Sequence, residues 1–194
     1  MHKYFDSDAK CQRIFVLYGL GGSGKSQLAF KFLQECQANK RYSEFMMMTF
    51  NSLRFWDSSF SNIFYIDATN EQTLVMDLKG IGPENAQDEH SVDGILCWLA
   101  NQRPGEWLLF FDNADDVGLQ LNRFFPPSIS GNILITTRNR DLRQLEGSDQ
   151  NVTGMDEEDA TNLVLRLSRE EETDENKILA AQIVQVCSFF FGPE

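Results

Sequence analysis

The chain has 194 residues, a formal net charge of −12 and an apolar content of 42%. This length predicts one domain, with at most a fragment of a second. The negative charge argues against nucleic acid as a primary partner, because a phosphate backbone requires a basic protein surface. The first residues lack the apolar stretch of a signal peptide, and no apolar run reaches the roughly 20 residues of a membrane helix. We therefore expect a cytoplasmic protein without a membrane partner.

Short apolar runs alternate with helical patterns along most of the chain. The runs predict strands at 13–18, 62–66, 107–111, 132–136 and, more briefly, 151–153. The helical patterns predict helices at 26–38, near 70–79 and at 91–101, and two more that carry the apolar sets Ala160, Leu163, Val164, Leu167 and Leu179, Ile183, Val186, Phe190. Such alternation predicts an α/β fold, a parallel five-stranded sheet with helices on both faces. The segment 45–60 fits neither pattern, and residues 1–12 predict an irregular lead-in.

Residues 19–26 read Gly-Leu-Gly-Gly-Ser-Gly-Lys-Ser, which matches the P-loop pattern G-x-x-x-x-G-K-[ST] between a strand and a helix. Glycines in this context allow backbone N–H groups to fold around a phosphate, and the helix that follows adds its positive N-terminal dipole. Lys25 would bind the β- and γ-phosphates, and the hydroxyl of Ser26 would bind Mg²⁺. The pattern predicts a site for ATP or ADP with Mg²⁺, held by Gly19, Gly21, Gly22, Ser23, Gly24, Lys25, Ser26 and Gln27.

The strand at 107–111 delivers Asp112 to its carboxyl end, where parallel α/β sheets bind ligands. A carboxylate at that place can hold a water on Mg²⁺ opposite Ser26, so we expect Ser26 and Asp112 to be the metal-binding residues. Fast ATPases usually have a second carboxylate at the next position, which here is Asn113. An amide can orient water but cannot accept its proton, so we expect slow hydrolysis unless Asp115 or Asp116 acts as the base.

The strand at 132–136 is followed by Thr137 and Arg138. An arginine at the carboxyl end of a strand beside a triphosphate can contact the γ-phosphate through a charge-assisted hydrogen bond. We expect Arg138, together with Asp112, to act in catalysis at the terminal phosphate. Arg140 and Arg143 follow closely, so a simple surface role for Arg138 stays open.

Four motifs occur in order along the chain: Gly-Leu-Gly-Gly-Ser-Gly-Lys-Ser-Gln-Leu-Ala at 19–29, Phe-Tyr-Ile-Asp-Ala at 64–68, Trp-Leu-Leu-Phe-Phe-Asp-Asn-Ala-Asp-Asp at 107–116 and Gly-Asn-Ile-Leu-Ile-Thr-Thr-Arg at 131–138. Together they resemble the NB-ARC domain of STAND-class P-loop NTPases, the nucleotide switch of NOD-like receptors, and the third motif is most like fungal members. The resemblance covers roughly residues 13–190. It implies an ADP-bound resting form, ATP-driven oligomerisation, weak ATPase activity and a role in signalling such as innate immunity.

The resemblance also implies a sheet of strand order 5-1-4-3-2, in which one strand separates the strands that carry the P-loop and Asp112. In a full-length relative it implies an effector domain and C-terminal sensor repeats as partners. Residues 13–155 would form the nucleotide-binding domain after the lead-in at 1–12. Residues 156–194 would begin a helical subdomain.

The sequence departs from the family in three places. Members normally have a Gly-x-Pro-Leu-Ala segment after the last helix, whereas residues 191–194 read Phe-Gly-Pro-Glu. The segment 45–60 lengthens a connection that is usually short, as an insertion or an error in the gene model would. No effector domain precedes residue 13. We therefore expect a truncated or fragmentary relative with an incomplete helical subdomain.

Three other functions are compatible with a P-loop. A small-molecule kinase would suit the chain length, although no lid-like segment with paired arginines is visible. A regulatory GTPase is suggested by Asp77-Leu78-Lys79-Gly80, which matches D-x-x-G, but this segment lies in a predicted helix and no Asn-Lys-x-Asp motif accompanies it. A catalytically inert nucleotide-binding interaction module is the third, and Asn113 keeps it open.

Overall fold

The computed structural model describes residues 1–5, 11–38, 45–46, 63–81, 91–102, 107–145, 147–169, 171 and 173–191. The chain divides into two compact units, a sheet unit of residues Met1–Val152 and a helical unit of residues Thr153–Glu194. Within the described ranges, no helix has the length and apolar character that crossing a lipid bilayer requires.

The sheet unit is built on an all-parallel sheet. Its strands, in the described part of the chain, are β1 Arg13–Tyr18, β2 Phe45–Met46, β3 Ile63–Asp67, β4 Leu108–Asp112, β5 Asn132–Thr137 and β6 Ser148–Asn151. Their order across the sheet is β2-β3-β4-β5-β1-β6, and each neighbouring pair is parallel. The five predicted strands therefore have the expected order, and this confirms the predicted fold class.

Two details of the sheet differ from the prediction. The last strand lies at Ser148–Asn151 rather than at 151–153, because its residues are polar and no apolar run marks it. The unassigned segment 45–60 begins with the two-residue strand β2, which pairs with β3 at the edge of the sheet. The rest of that segment lies outside the described residues.

Helices cover both faces of the sheet. They are α1 His2–Phe5, α2 Lys25–Ala38, α3 Glu71–Gly80 and α4 Val92–Ala100, with 3₁₀ turns at Leu121–Phe124 and Arg140–Gln144. The side chains of Asn70 and Ser91 accept hydrogen bonds from the first turns of α3 and α4, which fixes where these helices begin. Helix α1 corrects the prediction of an irregular lead-in at 1–12, because Phe5 is buried in the core beside α2.

The core lies on both sides of the sheet. Alternate residues of a strand face opposite sides, so Leu109 and Phe111 of β4 join one apolar cluster while Leu108 and Phe110 join the other. The first cluster includes residues of α3 and α4, and the second includes residues of α1 and α2. Burial on both faces explains why the central strands are continuous apolar runs rather than alternating ones.

Parallel pairing brings the carboxyl ends of the strands to one edge of the sheet. At this edge Tyr18 of β1 pairs with Thr137 of β5 and with Asn151 of β6. Asp67 of β3 pairs with Asp112 of β4. Because β5 lies between β1 and β4, the segments that follow these three strands adjoin one another.

The helical unit contains α5 Glu157–Ser168 and α6 Asp174–Phe191. Both helices were predicted, but among the residues whose burial is described, none of the apolar residues that predicted them is fully buried. The buried residues are Leu165, Ala180 and Val184, whereas Leu163, Leu167, Leu179, Ile183 and Val186 are exposed. Each helix carries apolar residues around more of its circumference than its buried stripe covers, so the spacing alone did not identify the buried face.

Candidate phosphate-binding site

The loop between β1 and α2 forms one wall of an open cleft of about 430 Å³ at the carboxyl edge of the sheet. Gly22 and Gly24 have positive φ angles of 75° and 90°, a backbone conformation that other residues rarely adopt. A Cβ atom built on either glycine would meet nothing within 4 Å, so their backbone faces open space. The residues that line the cleft are Gly21, Gly22, Gly24, Lys25, Ser26, Gln27, Asn113, Asp115, Thr136 and Arg138.

The beginning of α2 supplies hydrogen-bond donors to this cleft. The N–H of Leu28 donates to the carbonyl of Gly24 at 2.8 Å. The N–H groups of Lys25, Ser26 and Gln27 precede that bond, and the first turn of a helix leaves such groups without partners inside the helix. Together with the positive end of the helix dipole, they suit an anion such as a phosphate.

Lys25 is buried against the loop that precedes it. Its Nζ donates to the carbonyl oxygens of Gly19 at 3.0 Å and Leu20 at 2.6 Å. An ammonium has three N–H donors, so these two bonds leave a third for a ligand in the cleft. Burial lowers the pKa of Lys25 from its ordinary value, and the negative charge of Asp115 opposes this shift.

Asp112 lies behind the cleft and is in contact with Ser26. The Ser26 hydroxyl donates to Asp112 Oδ1 at 2.7 Å, and the Thr136 hydroxyl donates to the same oxygen. The Tyr65 hydroxyl donates to Asp112 Oδ2 at 3.3 Å. Burial, together with the negative charge of Asp112, raises the pKa of Tyr65, so the phenol stays protonated and remains a donor.

The contact between Ser26 and Asp112 suits a magnesium ion. A hydroxyl and a carboxylate are hard oxygen ligands, and Mg²⁺ typically takes only one or two protein ligands, with waters and phosphate oxygens completing its shell. In the described part of the chain no group of three or more His, Cys, Asp or Glu could hold a metal. The residues present therefore fit Mg²⁺ bound jointly with a phosphate rather than a metal held by the protein alone.

Asn113 occupies the position next to Asp112 and lies at the mouth of the cleft. Its φ of 63° is left-handed, a conformation that Asn tolerates better than most residues. Its Nδ2 donates to the Thr69 hydroxyl at 3.0 Å, and its backbone N–H donates to Thr136 Oγ1 at 2.9 Å. The Thr69 hydroxyl in turn donates to Asp67. These contacts hold the Asn113 side chain in place. Its amide is not basic enough to accept a proton from water.

The two alternative bases have different surroundings. Asp116 is exposed, its Oδ1 accepts the N–H of Gly118 at 2.8 Å, and it does not line the cleft. Asp115 lines the cleft, but its Oδ1 accepts the backbone N–H of Arg138 and its Oδ2 accepts Arg138 Nε, both at 2.6 Å. The guanidinium of Arg138 lies above Gly21, since a Cβ built on Gly21 would be 3.6 Å from Arg138 Nη1.

The structure brings most of the predicted residues together. Three members of the predicted set do not line the cleft. Gly19 supplies a carbonyl to Lys25 and donates its N–H to Thr137, and the Ser23 hydroxyl is buried without a hydrogen-bond partner among the described residues. Asp112 lies behind the cleft, where it contacts Ser26. Sequence reasoning missed Thr136, Tyr65 and the pairing of Asp115 with Arg138. A hydroxyl in an otherwise apolar strand could have marked Tyr65 and Thr136, but nothing in the sequence marks their contacts with Asp112.

A second, larger cleft of about 550 Å³ lies at the beginning of α3. It is lined by Asn70, Glu71, Gln72 and Val75, none of which is a cation. An acidic side chain at this place opposes the binding of phosphate, so the chemistry favours the smaller cleft beside Lys25.

The fold and the loop together define a class of protein. A strand, a glycine-rich loop ending in Lys25 and Ser26, and a helix stand at the carboxyl edge of an all-parallel sheet. This arrangement is the P-loop NTPase fold.

No protein-family model matches the chain, and no curated protein matches it. Among solved structures, the chain is similar to a Signal Transduction ATPase with Numerous Domains (STAND) protein with a tetratricopeptide repeat sensor from Pyrococcus horikoshii. The identity is 18% and the TM-score is 0.47. The match covers 97% of this chain but only 28% of that protein. A likeness at these values does not indicate what this chain does.

Proposed function

We propose that the cleft binds ATP or ADP with Mg²⁺, and that the chain is a nucleotide-binding module of the STAND type that hydrolyses ATP slowly. The observation that carries this proposal is the 2.7 Å contact between Ser26 and Asp112 beside the glycine-rich loop. Two residues separated by 86 positions meet beside this loop, and their oxygens could hold Mg²⁺ together with a phosphate.

Each group in the cleft has a role in this proposal. The backbone N–H groups of 24–27 surround the β-phosphate, and Lys25 turns its remaining N–H toward the β- and γ-phosphates. Ser26 would hold Mg²⁺ through its hydroxyl, and Asp112 would hold the ion's water ligands. With Mg²⁺ bound, the negative charge of the phosphates is partly neutralised. Thr136 and Tyr65 keep the Asp112 carboxylate in its orientation.

Slow hydrolysis is expected because Asn113, rather than a carboxylate, follows Asp112. A general base must be able to accept a proton from the attacking water, and the amide of Asn113 cannot. Asp115 has both oxygens engaged by Arg138, and Asp116 does not line the cleft. The lack of a base at Asn113 also supports a second candidate function, an interaction module that binds nucleotide without hydrolysing it.

An adenine nucleotide is favoured over a guanine nucleotide. The segment 77–80, which matches the D-x-x-G pattern of GTPases, lies inside α3. Its Asp77 carboxylate accepts the backbone N–H of Asp67 at 2.8 Å and is therefore used within the fold. No Asn-Lys-x-Asp motif for reading guanine occurs in the sequence.

The finer assignment to the NB-ARC domain of NOD-like receptors rests on the four ordered motifs. On that basis we propose a cytoplasmic signalling protein whose nucleotide state controls oligomerisation, with an effector domain and C-terminal sensor repeats as its partners. The motif residues support this assignment by their placement: Lys25, Ser26 and Arg138 line one cleft, and Asp112 contacts Ser26 behind it.

The first prediction concerns Lys25. Replacing Lys25 with Ala should weaken nucleotide binding at least about tenfold, because the buried cation of the loop is lost. Lys31 offers a matched control, since it is exposed on the same helix and does not line the cleft. Titration with a fluorescent ATP analogue measures both variants. Equal affinities for Lys25→Ala and Lys31→Ala would remove the P-loop from the proposal.

The second prediction concerns Asp112. Replacing Asp112 with Ala should weaken ATP binding in the presence of Mg²⁺ more than ADP binding in its absence, because Asp112 acts through the ion. The exposed Asp116, replaced with Ala, removes the same charge outside the cleft and should change neither affinity. If the Asp112 variant loses both affinities equally, its role is structural and the magnesium site is wrong.

The third prediction concerns the rate of hydrolysis. The wild-type chain should turn over well below the roughly 1–100 s⁻¹ of kinases, and Asn113→Asp should raise the rate at least about tenfold by supplying a base. Asp has nearly the same size as Asn and tolerates the left-handed φ of this position. Asn122→Asp adds the same charge at an exposed position outside the cleft. A steady-state phosphate-release assay compares the three, and a wild type that turns over many times per second would contradict the proposal.

A further inference from the structure

Asp115 and Arg138 form an ion pair in which the arginine donates to both oxygens of the carboxylate. Asp115 Oδ1 accepts the backbone N–H of Arg138, and Asp115 Oδ2 accepts the Nε–H of the same residue. Both oxygens of one carboxylate are thus used by a single arginine. The Asp115 side chain is 16% exposed, whereas the Arg138 side chain is 62% exposed. The carboxylate is therefore the shielded partner, and the guanidinium is the more exposed one.

This geometry leaves the far end of the guanidinium available. A guanidinium has five N–H donors, and Asp115 takes only the one on Nε. Among the described residues, no hydrogen bond joins either Nη atom of Arg138 to another residue. Nη1 lies near Gly21 in the glycine-rich loop, where a Cβ would be 3.6 Å away. The four remaining donors therefore stand at the wall of the cleft where a phosphate would lie.

The backbone around Asp115 is tied to the strand that carries Arg138. The N–H of Ala114 donates to the carbonyl of Thr136 at 2.9 Å, and the Thr137 hydroxyl donates to the carbonyl of Ala114. These bonds fix the segment after β4 against the end of β5. Asp115 is consequently held in place before any ligand binds, and it can hold Arg138 in turn.

We propose that Asp115 is a positioning residue that presents the Nη donors of Arg138 to the terminal phosphate and thereby sets the preference for ATP over ADP. This rests on the proposed function of the cleft. Asp115 does not contact the nucleotide itself: both of its oxygens accept hydrogen bonds from Arg138, so its role is to orient the guanidinium rather than to take a proton from water. Fixing a long side chain before binding lowers the conformational entropy that the ligand must remove.

The test compares two nucleotides across four proteins. Calorimetric titration measures the affinities for Mg·ATP and Mg·ADP in the wild type, Asp115→Asn, Arg138→Ala and the double variant. Asn keeps the size of Asp115 and an oxygen for the backbone N–H of Arg138, but it removes the charge that faces Nε. We expect Asp115→Asn to lower the ratio of ATP affinity to ADP affinity about fivefold with little change for ADP. In the Arg138→Ala background, the same substitution should have no further effect.

Asp116→Asn is the matched control, since it removes the neighbouring charge without touching Arg138 and should leave the ratio unchanged. The urea midpoint of unfolding should stay near the wild-type value in both variants, because the Arg138 side chain is mostly exposed and an ion pair with such a partner adds little to stability. An equal loss of ATP and ADP affinity would assign Asp115 a structural role and overturn the proposal. A gain of ATP affinity in Asp115→Asn would also overturn it, because Asp115 would then compete with the phosphate for Arg138. The same holds if Asp115→Asn still lowers the affinity ratio in the Arg138→Ala background. Failure of the wild type to bind either nucleotide would instead overturn the proposed function itself.

Discussion

The carboxylate of Asp112 holds together the parts of the cleft that come from different strands. It accepts hydrogen bonds from Ser26, at the beginning of α2, and from Thr136, near the end of β5. These contacts require β5 to lie between β1 and β4, as the parallel order of the sheet provides. If β5 were at an edge, the glycine-rich loop and Asp112 would have no strand between them to carry Thr136, and Arg138 would stand away from the loop. The order of three strands thus determines which side chains share the site.

The cleft shows how an acidic protein can offer a site to an anion. The chain carries a formal charge of −12, so its overall field repels nucleotides rather than attracting them. The groups that we propose to bind phosphate are local: backbone N–H groups at the start of α2, the buried ammonium of Lys25 and the guanidinium of Arg138. The carboxylates of the site are each engaged by donors, Asp112 by three hydroxyls and Asp115 by Arg138. Asp115 therefore orients the guanidinium of Arg138, and in the proposed function Asp112 orients the phosphates through Mg²⁺.

The sequence predicted the sheet and the glycine-rich loop because both depend on local patterns. Buried parallel strands are continuous apolar runs, and the residues of a P-loop are adjacent in the chain. Strand β6 was predicted two to three residues too late in the chain, because an edge strand made of polar residues lacks that pattern. Helix α1 was missed because its four residues are too few to show a helical period, and the burial of Phe5 depends on contacts with α2. The contacts of Tyr65 and Thr136 with Asp112 and the pairing of Asp115 with Arg138 join residues that only the strand order brings together, so no local motif reveals them.

The most direct test of a phosphate-binding cleft is competition between a nucleotide and pyrophosphate for the wild-type chain. Calorimetric titration with Mg·ADP should saturate at one nucleotide per chain, and pyrophosphate should displace the nucleotide, because the glycine-rich loop and Lys25 bind the phosphates rather than the base. The contrary result would be no saturable binding at millimolar nucleotide, or binding that pyrophosphate does not affect. Either outcome would show that the cleft beside Lys25 is not a nucleotide site.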